Sequence, residues 1–330
     1  MFMIPDKIKK ILKKQHYELV GDHSAVQICR WTKNSIRDQG VCYKEKFYGI
    51  KSHLCCQMTP SVVFCPNKCV HCWRAIEHTL GDEIKGKIDS PKKIINDCVK
   101  AQRKLLLGFK KLPTSKGKRV SKANMKKYQE AQEPTQFAIS LSGEPTLYKK
   151  IGELISELRK RKKTSFLVTN GLYPKKLEEL KKKKQLPTQL YISVNVANEK
   201  DYQKFHRSTK KDAWKRLMKS LEIMSALPCR TVFRMNLVRD INMKDDDILG
   251  FAKLIKKAKP MFVEIKGYMS VGFARQRLGY ERMPNYEEML NFAKVLAKET
   301  GLKLLDSHER SRAFVLGKNK KDLKIKPNQT

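Results

Sequence analysis

From residue 61 onward, short apolar runs alternate with stretches of helical period. The runs lie at 62–64, 137–141, 166–169, 190–194, 231–238 and 262–265. Each is rich in β-branched or aromatic residues, the pattern of strands buried on both faces of a parallel sheet. Between the first two, Ile94, Ile95, Cys98, Val99, Leu105 and Leu106 fall on one helical face, and 151–158 and 217–227 repeat that spacing. Pro91 after Asp89-Ser90 is a helix start, because proline fits the first turn and serine caps it. A last unit predicts a helix over 286–300 and a strand over 301–305. Repeated strand–helix units predict an α/β fold whose parallel sheet closes, or nearly closes, into a barrel of TIM type. The first 60 residues lack this rhythm. After a short basic helical pattern, Asn34, Asp38, Gly40, Tyr43, Phe47, Tyr48 and Gly49 predict a wrapped loop region. The chain is thus expected to comprise an extension (1–60), a barrel core (61–317) and a basic tail (318–330), the tail mobile.

Composition adds a partner. The 330 residues include 71 Lys and Arg against 33 Asp and Glu, a net charge of +38, and are 40% hydrophobic. That apolar content excludes a wholly disordered chain. The charge points to nucleic acid, and with less force to an acidic membrane surface or a lysine-rich adaptation to heat. No apolar stretch reaches about eighteen residues, so no membrane span is expected. The N-terminus lacks an apolar core and a small-residue cleavage site, so no signal peptide is expected. Nine cysteines without an export signal read as metal ligands in a cytoplasmic protein. A monomer is the default expectation.

Cys65, Cys69 and Cys72 form a C-x3-C-x2-C triplet directly after the first predicted strand. Three thiolates on one tight loop can hold three irons of a cubane cluster and leave the fourth open to a cofactor. The alternatives are a zinc site, which usually pairs two distant C-x2–4-C units, or unrelated cysteines. The spacing, with Trp73 after the last cysteine, resembles that of the radical S-adenosylmethionine (SAM) enzymes. That resemblance implies a 4Fe–4S cluster whose open iron chelates SAM, and cleavage of SAM to methionine and a 5′-deoxyadenosyl radical. Upstream, Cys29, Cys42 and Cys55 are equally spaced. Taken alone they admit a second cluster, a zinc site completed by Cys56, or core cysteines. Cys98 and Cys229 read as core residues, and His71 as a loop residue between two cysteines.

Barrel active sites are built at the carboxyl ends of the strands. There this sequence places Ser142-Gly143-Glu144-Pro145, Thr169-Asn170-Gly171, Ser193 with Asn195, and Lys266-Gly267-Tyr268. Glycine lets backbone approach a ligand, and glutamate accepts hydrogen bonds from an ammonium group. Taken alone, 142–145 is a polar strand-to-helix turn. One strand–helix unit after the cysteine loop, it resembles the radical SAM element that holds the methionyl amino group. Ser142, Gly143, Glu144, Thr169, Asn170, Ser193 and Asn195 are the expected SAM contacts. For RNA, 110–127 carries eight basic residues and no acid. It reads either as a solvated loop or as a phosphate-contacting arm that includes Lys118 and Arg119. Arg275, Arg277 and Arg282 interleave with Phe273 and Tyr280, a pattern suited to stacking on splayed bases and gripping phosphates.

Longer stretches narrow the resemblance. They are 65–74 (C-P-N-K-C-V-H-C-W-R), 101–109 (A-Q-R-K-L-L-L-G-F), 138–148 (A-I-S-L-S-G-E-P-T-L-Y), 167–171 (L-V-T-N-G), 234–238 (R-M-N-L-V) and 263–278 (V-E-I-K-G-Y-M-S-V-G-F-A-R-Q-R-L). With the even N-terminal cysteines, the chain over about 25–316 resembles the archaeal tRNA 4-demethylwyosine synthases, wyosine-forming radical SAM enzymes. The resemblance implies a radical SAM partial (βα)6 TIM-type barrel with an N-terminal cluster-binding extension. It implies a carbon–carbon lyase acting on N1-methylguanosine beside the anticodon of a phenylalanine tRNA. There two carbons of pyruvate close a third ring on the base, and the carboxylate carbon is released. It further implies two 4Fe–4S clusters, the auxiliary one on Cys29, Cys42 and Cys55, the last set before Cys56-Gln57-Met58 as in the family. Lys44 matches the family's pyruvate lysine, since a desolvated amine can form a Schiff base with a ketone; the alternative is pyruvate chelated by the auxiliary cluster. The target base is expected to flip out of its stack to meet the radical. With no flavodoxin-like segment expected ahead of Cys29, electrons are expected from a separate flavodoxin- or ferredoxin-type donor.

Two other readings remain at this point. A radical SAM enzyme acting on a protein or peptide would leave the basic excess unexplained. A non-catalytic iron–sulfur or zinc RNA-binding module would leave the Gly-Glu-Pro turn and the polar strand ends without a purpose.

Overall fold

The computed structural model describes residues 4–110, 112–113, 119–120, 123–326 and 329. They fall into two units: Met1–Val62 with Ile84–Phe166 and Lys324–Thr330, and Val63–Glu83 with Leu167–Leu323.

In the first unit, β1 (Glu18–Val20), β2 (Ser24–Gln27) and β3 (Cys55–Thr59) form an antiparallel meander. A separate ribbon pairs β4 (Leu112–Pro113) with β5 (Arg119–Val120). β3 runs parallel to β6 (Gln136–Ile139), with Cys55 opposite Gln136, and β7 (Thr164–Thr169) begins in this unit, with Leu167–Thr169 counted in the second. The helix Pro91–Leu106 begins as its sequence predicts: the Ser90 side chain accepts from Lys93 N and proline fills the first turn. It lies on β1, β2 and β3 and buries Ile94, Ile95, Cys98, Val99 and Leu106, while Leu105 stays half-buried. Each buried Ile or Leu contributes about 1.5–3 kcal/mol.

Helix Asp6–Lys14 follows the basic helical pattern, but the stretch after it is not a wrapped loop. It contains helices Arg30–Ile36 and Tyr43–Tyr48 as well as three strands. Its elements are too short for a periodicity to declare itself. Residues 62–64 are not a strand either; the strand is β3, just upstream. Val62, Val63 and Phe64 are buried in a turn behind Pro60, where Val62 N donates to His23 O. Their apolar character reflects burial, not ladder pairing.

In the second unit, β8 (Gln189–Ser193), β9 (Arg230–Leu237) and β10 (Phe262–Gly267) run parallel, with Ser193 opposite Arg234 and Arg234 opposite Glu264. The expected last strand is β11 (Lys303–His308), but it does not extend the parallel set. β12 (Ala313–Gly317), which the pattern did not announce, lies between β10 and β11 and is antiparallel to both. The reversal at 309–312 is short, and only an antiparallel pair can be joined so tightly. Helix Tyr286–Thr300 precedes β11, opened by an Asn285–Glu288 capping box and closed by Gly301 at φ 71°. The tail is anchored: Leu323 is buried, and Arg230 donates to the Asp322 and Leu323 carbonyls. Among the described residues, no helix is long and apolar enough to cross a membrane.

Candidate active site

The cysteine loop belongs to the second unit, and backbone bonds fix both its sides. Cys65 N donates to Gly81 O, Lys68 N to His206 O, Val70 N to Phe205 O and Cys72 N to Cys69 O. The His71 ring stacks on Phe205, with centroids 4.9 Å apart. The sulfurs already have donors suited to thiolates. Asn67 N donates to Cys65 Sγ at 3.4 Å, and Arg74 Nε to Cys72 Sγ at 3.3 Å. Burial, then the charges of Cys65 and Cys72, push the Cys69 thiol up, while Arg74 pulls it down; the three cysteines therefore share one electrostatic site. Asn67 Oδ1 and His71 Nδ1 are buried there without a hydrogen-bond partner. Such orphaned polar atoms are rare in finished interiors and fit a site that takes a further group. Burial lowers the His71 pKa to about 3, so its ring stays neutral.

Arg277, expected at the RNA, is held against this loop. From helix Ala274–Leu278 its guanidinium donates to the carbonyls of Val70 (3.1 Å), Arg74 (3.2 Å) and Cys72, and it pairs with Glu77 at 2.9 Å. Beside it Phe273 N donates to Trp73 O, and Gly272 sits at φ +56° with no room for a Cβ, which would lie 2.4 Å from Trp73 O. Arg275 is exposed and Tyr280 is 68% exposed. Arg282 is 3.5 Å from Asp240 and donates to Arg239 O.

At the strand ends of the same unit, Thr169 Oγ1 accepts from Gly171 N and Asn170 Oδ1 from Leu172 N. Asn195 is buried, its amide engaged by Asn236 N and by the His206 ring. Ser193 is half-buried. Arg234 faces the fully buried Glu264 at 3.4 Å. Sequence reasoning missed this pair; a glutamate inside the apolar run 262–265 was the available signal.

The second set of candidates lies in the first unit. Cys29 and Cys42 are the N-caps of helices Arg30–Ile36 and Tyr43–Tyr48, their sulfurs accepting from Thr32 N and Lys44 N. The Ser52 hydroxyl donates to Glu45 and accepts from Cys42 N, which ties the intervening turn together. Cys55 opens β3. Burial pushes its thiol up most strongly, then Cys29; Lys44 pulls it down, and Cys42 and Cys56 add to the rise. Cys29, Cys42, Cys55 and Lys44 are thus brought within electrostatic reach of one another. Lys44 is 8% exposed, with Nζ 5.2 Å from the centre of the Phe166 ring. Cys56, next along the strand, is fully buried and feels Cys98 and Lys163.

Ser142, Gly143 and Glu144 are also in this unit. Ser142 Oγ donates to Val62 O, Gly143 has φ 72°, and the buried Glu144 caps the short turn Pro145–Leu147 through Thr146 N. Of the basic arm, Lys118 lies outside the described residues, and for Arg119 only the backbone, in β5, is described. Among the described residues, no three His, Cys, Asp or Glu are grouped to hold one metal ion. A cubane asks for a wider set, since its thiolates are shared among several irons.

A strand–helix fold with a three-cysteine loop and polar strand ends defines a radical SAM enzyme, and the Radical SAM superfamily model matches residues 59–252. A second model, wyosine base formation, matches 257–318, which includes Arg277 and Gly272. The SAM-dependent tRNA 4-demethylwyosine synthase of Pyrococcus abyssi is 45% identical over 95% of this chain and 89% of its own. That of Methanocaldococcus jannaschii is 37% identical over 95% and 96%. A structure of TYW1 with a lysine-pyruvate adduct bound superposes with a TM-score of 0.83, at 36% identity over 99% of both chains. This chain belongs to the tRNA 4-demethylwyosine synthase family.

Proposed function

We propose that this enzyme is a carbon–carbon lyase that joins two carbons of pyruvate to N1-methylguanosine beside the anticodon of a phenylalanine tRNA. The cysteine loop carries the reading: three cysteines in one electrostatic site, with N–H donors already aimed at two of their sulfurs. Cys65, Cys69 and Cys72 would hold the radical SAM cluster, and Cys29, Cys42 and Cys55 an auxiliary one. A cluster held by Cys65, Cys69 and Cys72 would, together with SAM, supply the radical chemistry needed to take hydrogen from the N1-methyl group. Ser142, Gly143, Glu144, Thr169, Asn170, Ser193 and Asn195 are the residues that would contact SAM. Lys44 Nζ adds to the pyruvate ketone and water leaves, giving an imine beside the Phe166 ring. The lysine-pyruvate adduct of the related TYW1 structure supports that role. Arg275, Arg282 and the exposed Tyr280 offer charge and a ring face to a splayed anticodon loop. The protein acts as a monomer in the cytoplasm, with residues 1–60 as the auxiliary-cluster extension and a separate flavodoxin or ferredoxin as electron donor.

Mass spectrometry of one anaerobic incubation tests this. Reconstituted enzyme, reductant, SAM, pyruvate and tRNA bearing N1-methylguanosine should yield 5′-deoxyadenosine and a tricyclic nucleoside. If 5′-deoxyadenosine forms while the nucleoside stays unchanged, the substrate assignment is wrong. Borohydride should trap pyruvate on the Lys44 peptide. Lys44→Arg should lose that adduct and at least about a thousandfold in product formation, the scale of losing a nucleophile.

A further inference from the structure

Arg74, two residues past the last cysteine, is only 7% exposed. Its nitrogens donate to Cys72 Sγ at 3.3 Å, Asn67 O at 2.8 Å and Thr79 Oγ1 at 3.1 Å. None of these acceptors is a carboxylate, and among the described residues no Asp or Glu makes an ion pair with it. Neighbouring arginines differ: Arg277 has Glu77 and Arg234 has Glu264. A buried guanidinium is costly unless an opposite charge faces it. Arginine also cannot escape that cost by losing its proton. The group it faces that can carry negative charge is Cys72 Sγ, on the same loop as Cys65 and Cys69. Three neutral thiols offer no such balance; three iron-bound thiolates do.

We propose that Arg74 is the fixed counter-cation of the cluster held by Cys65, Cys69 and Cys72 and raises its reduction potential. This rests on the radical SAM reading above. One-electron reduction adds a negative charge to the cluster. A buried cation that also donates to a ligand sulfur stabilises the reduced form, since cluster potentials respond to net charge and to hydrogen bonds at sulfur.

The test is a redox titration of the full-length reconstituted protein, following the paramagnetic signal that responds to added SAM. Arg74→Gln removes the charge and Arg74→Lys keeps it. In Arg74→Gln the ratio of reduced to oxidised cluster at fixed potential should fall about tenfold, a 59 mV downward shift for one electron. Arg74→Lys should stay close to the wild type. Wild-type behaviour of a cluster-bearing Arg74→Gln overturns the proposal. So do equal shifts in both variants, which would mean loop geometry and not charge. If Arg74→Gln retains no cluster, iron and sulfide content of Arg74→Lys decides: retention at the wild-type potential supports the counter-charge, and loss in both overturns it. A wild-type signal indifferent to SAM would sink the radical SAM reading and this proposal with it, before any variant is compared.

Discussion

Cys55 and Cys56 show how much one step along a strand decides. Successive side chains of β3 point to opposite faces. Cys55 is turned toward Cys29, Cys42 and Lys44, whereas Cys56 is sealed in the core near Cys98. The family resemblance favoured Cys55 but left its neighbour open, because a sequence does not show which face of a five-residue strand is inward. With both proposed clusters bound, Cys55→Ser should lower iron from about eight to about four per chain, one cluster's worth. Cys56→Ala should keep all the iron and cost about 1 kcal/mol in stability, as a small core truncation does. Iron analysis with thermal melts checks both, and iron loss in Cys56→Ala would refute the alternation argument.

At the scale of elements, helix Ala274–Leu278 turns one arginine inward and another outward. Arg277 grips three carbonyls of the cysteine loop, while Arg275 and the nearby Tyr280 stay exposed. The interleaved pattern grouped all these residues with RNA. Nothing in the sequence told the inward arginine from the outward one, since residues two apart leave a helix in different directions. Lysine carries the charge of Arg277 but not its planar fork. Arg277→Lys should therefore weaken cluster retention about tenfold or more, the effect of losing a ligand-orienting contact, and leave tRNA affinity unchanged. Tyr280→Ala should do the reverse, costing about 1–3 kcal/mol of tRNA affinity if it stacks on a base. Loss of iron in Tyr280→Ala, or none in Arg277→Lys, would dissolve that division of labour.

At the scale of the whole molecule, the excess of positive charge makes a prediction that needs no single contact. A chain of net charge +38 that engages six or more phosphates should lose about 10³-fold in tRNA affinity between 50 and 200 mM salt. Filter binding across that range measures the slope. A flat response would place recognition in base contacts and shape.

The sequence by itself determined the fold class and the family and singled out the two cysteine sets as candidates, because buried strands, helix caps and ligand loops are local patterns written in a few adjacent residues. Only the tertiary structure decided that β12 reverses the end of the sheet, that Cys56 faces the core, and that Arg277 serves the cysteine loop. It also showed Arg74 buried with thiols where a carboxylate would be expected. These are matters of direction and burial. They depend on which distant residues arrive at a side chain, and local spacing carries no record of that.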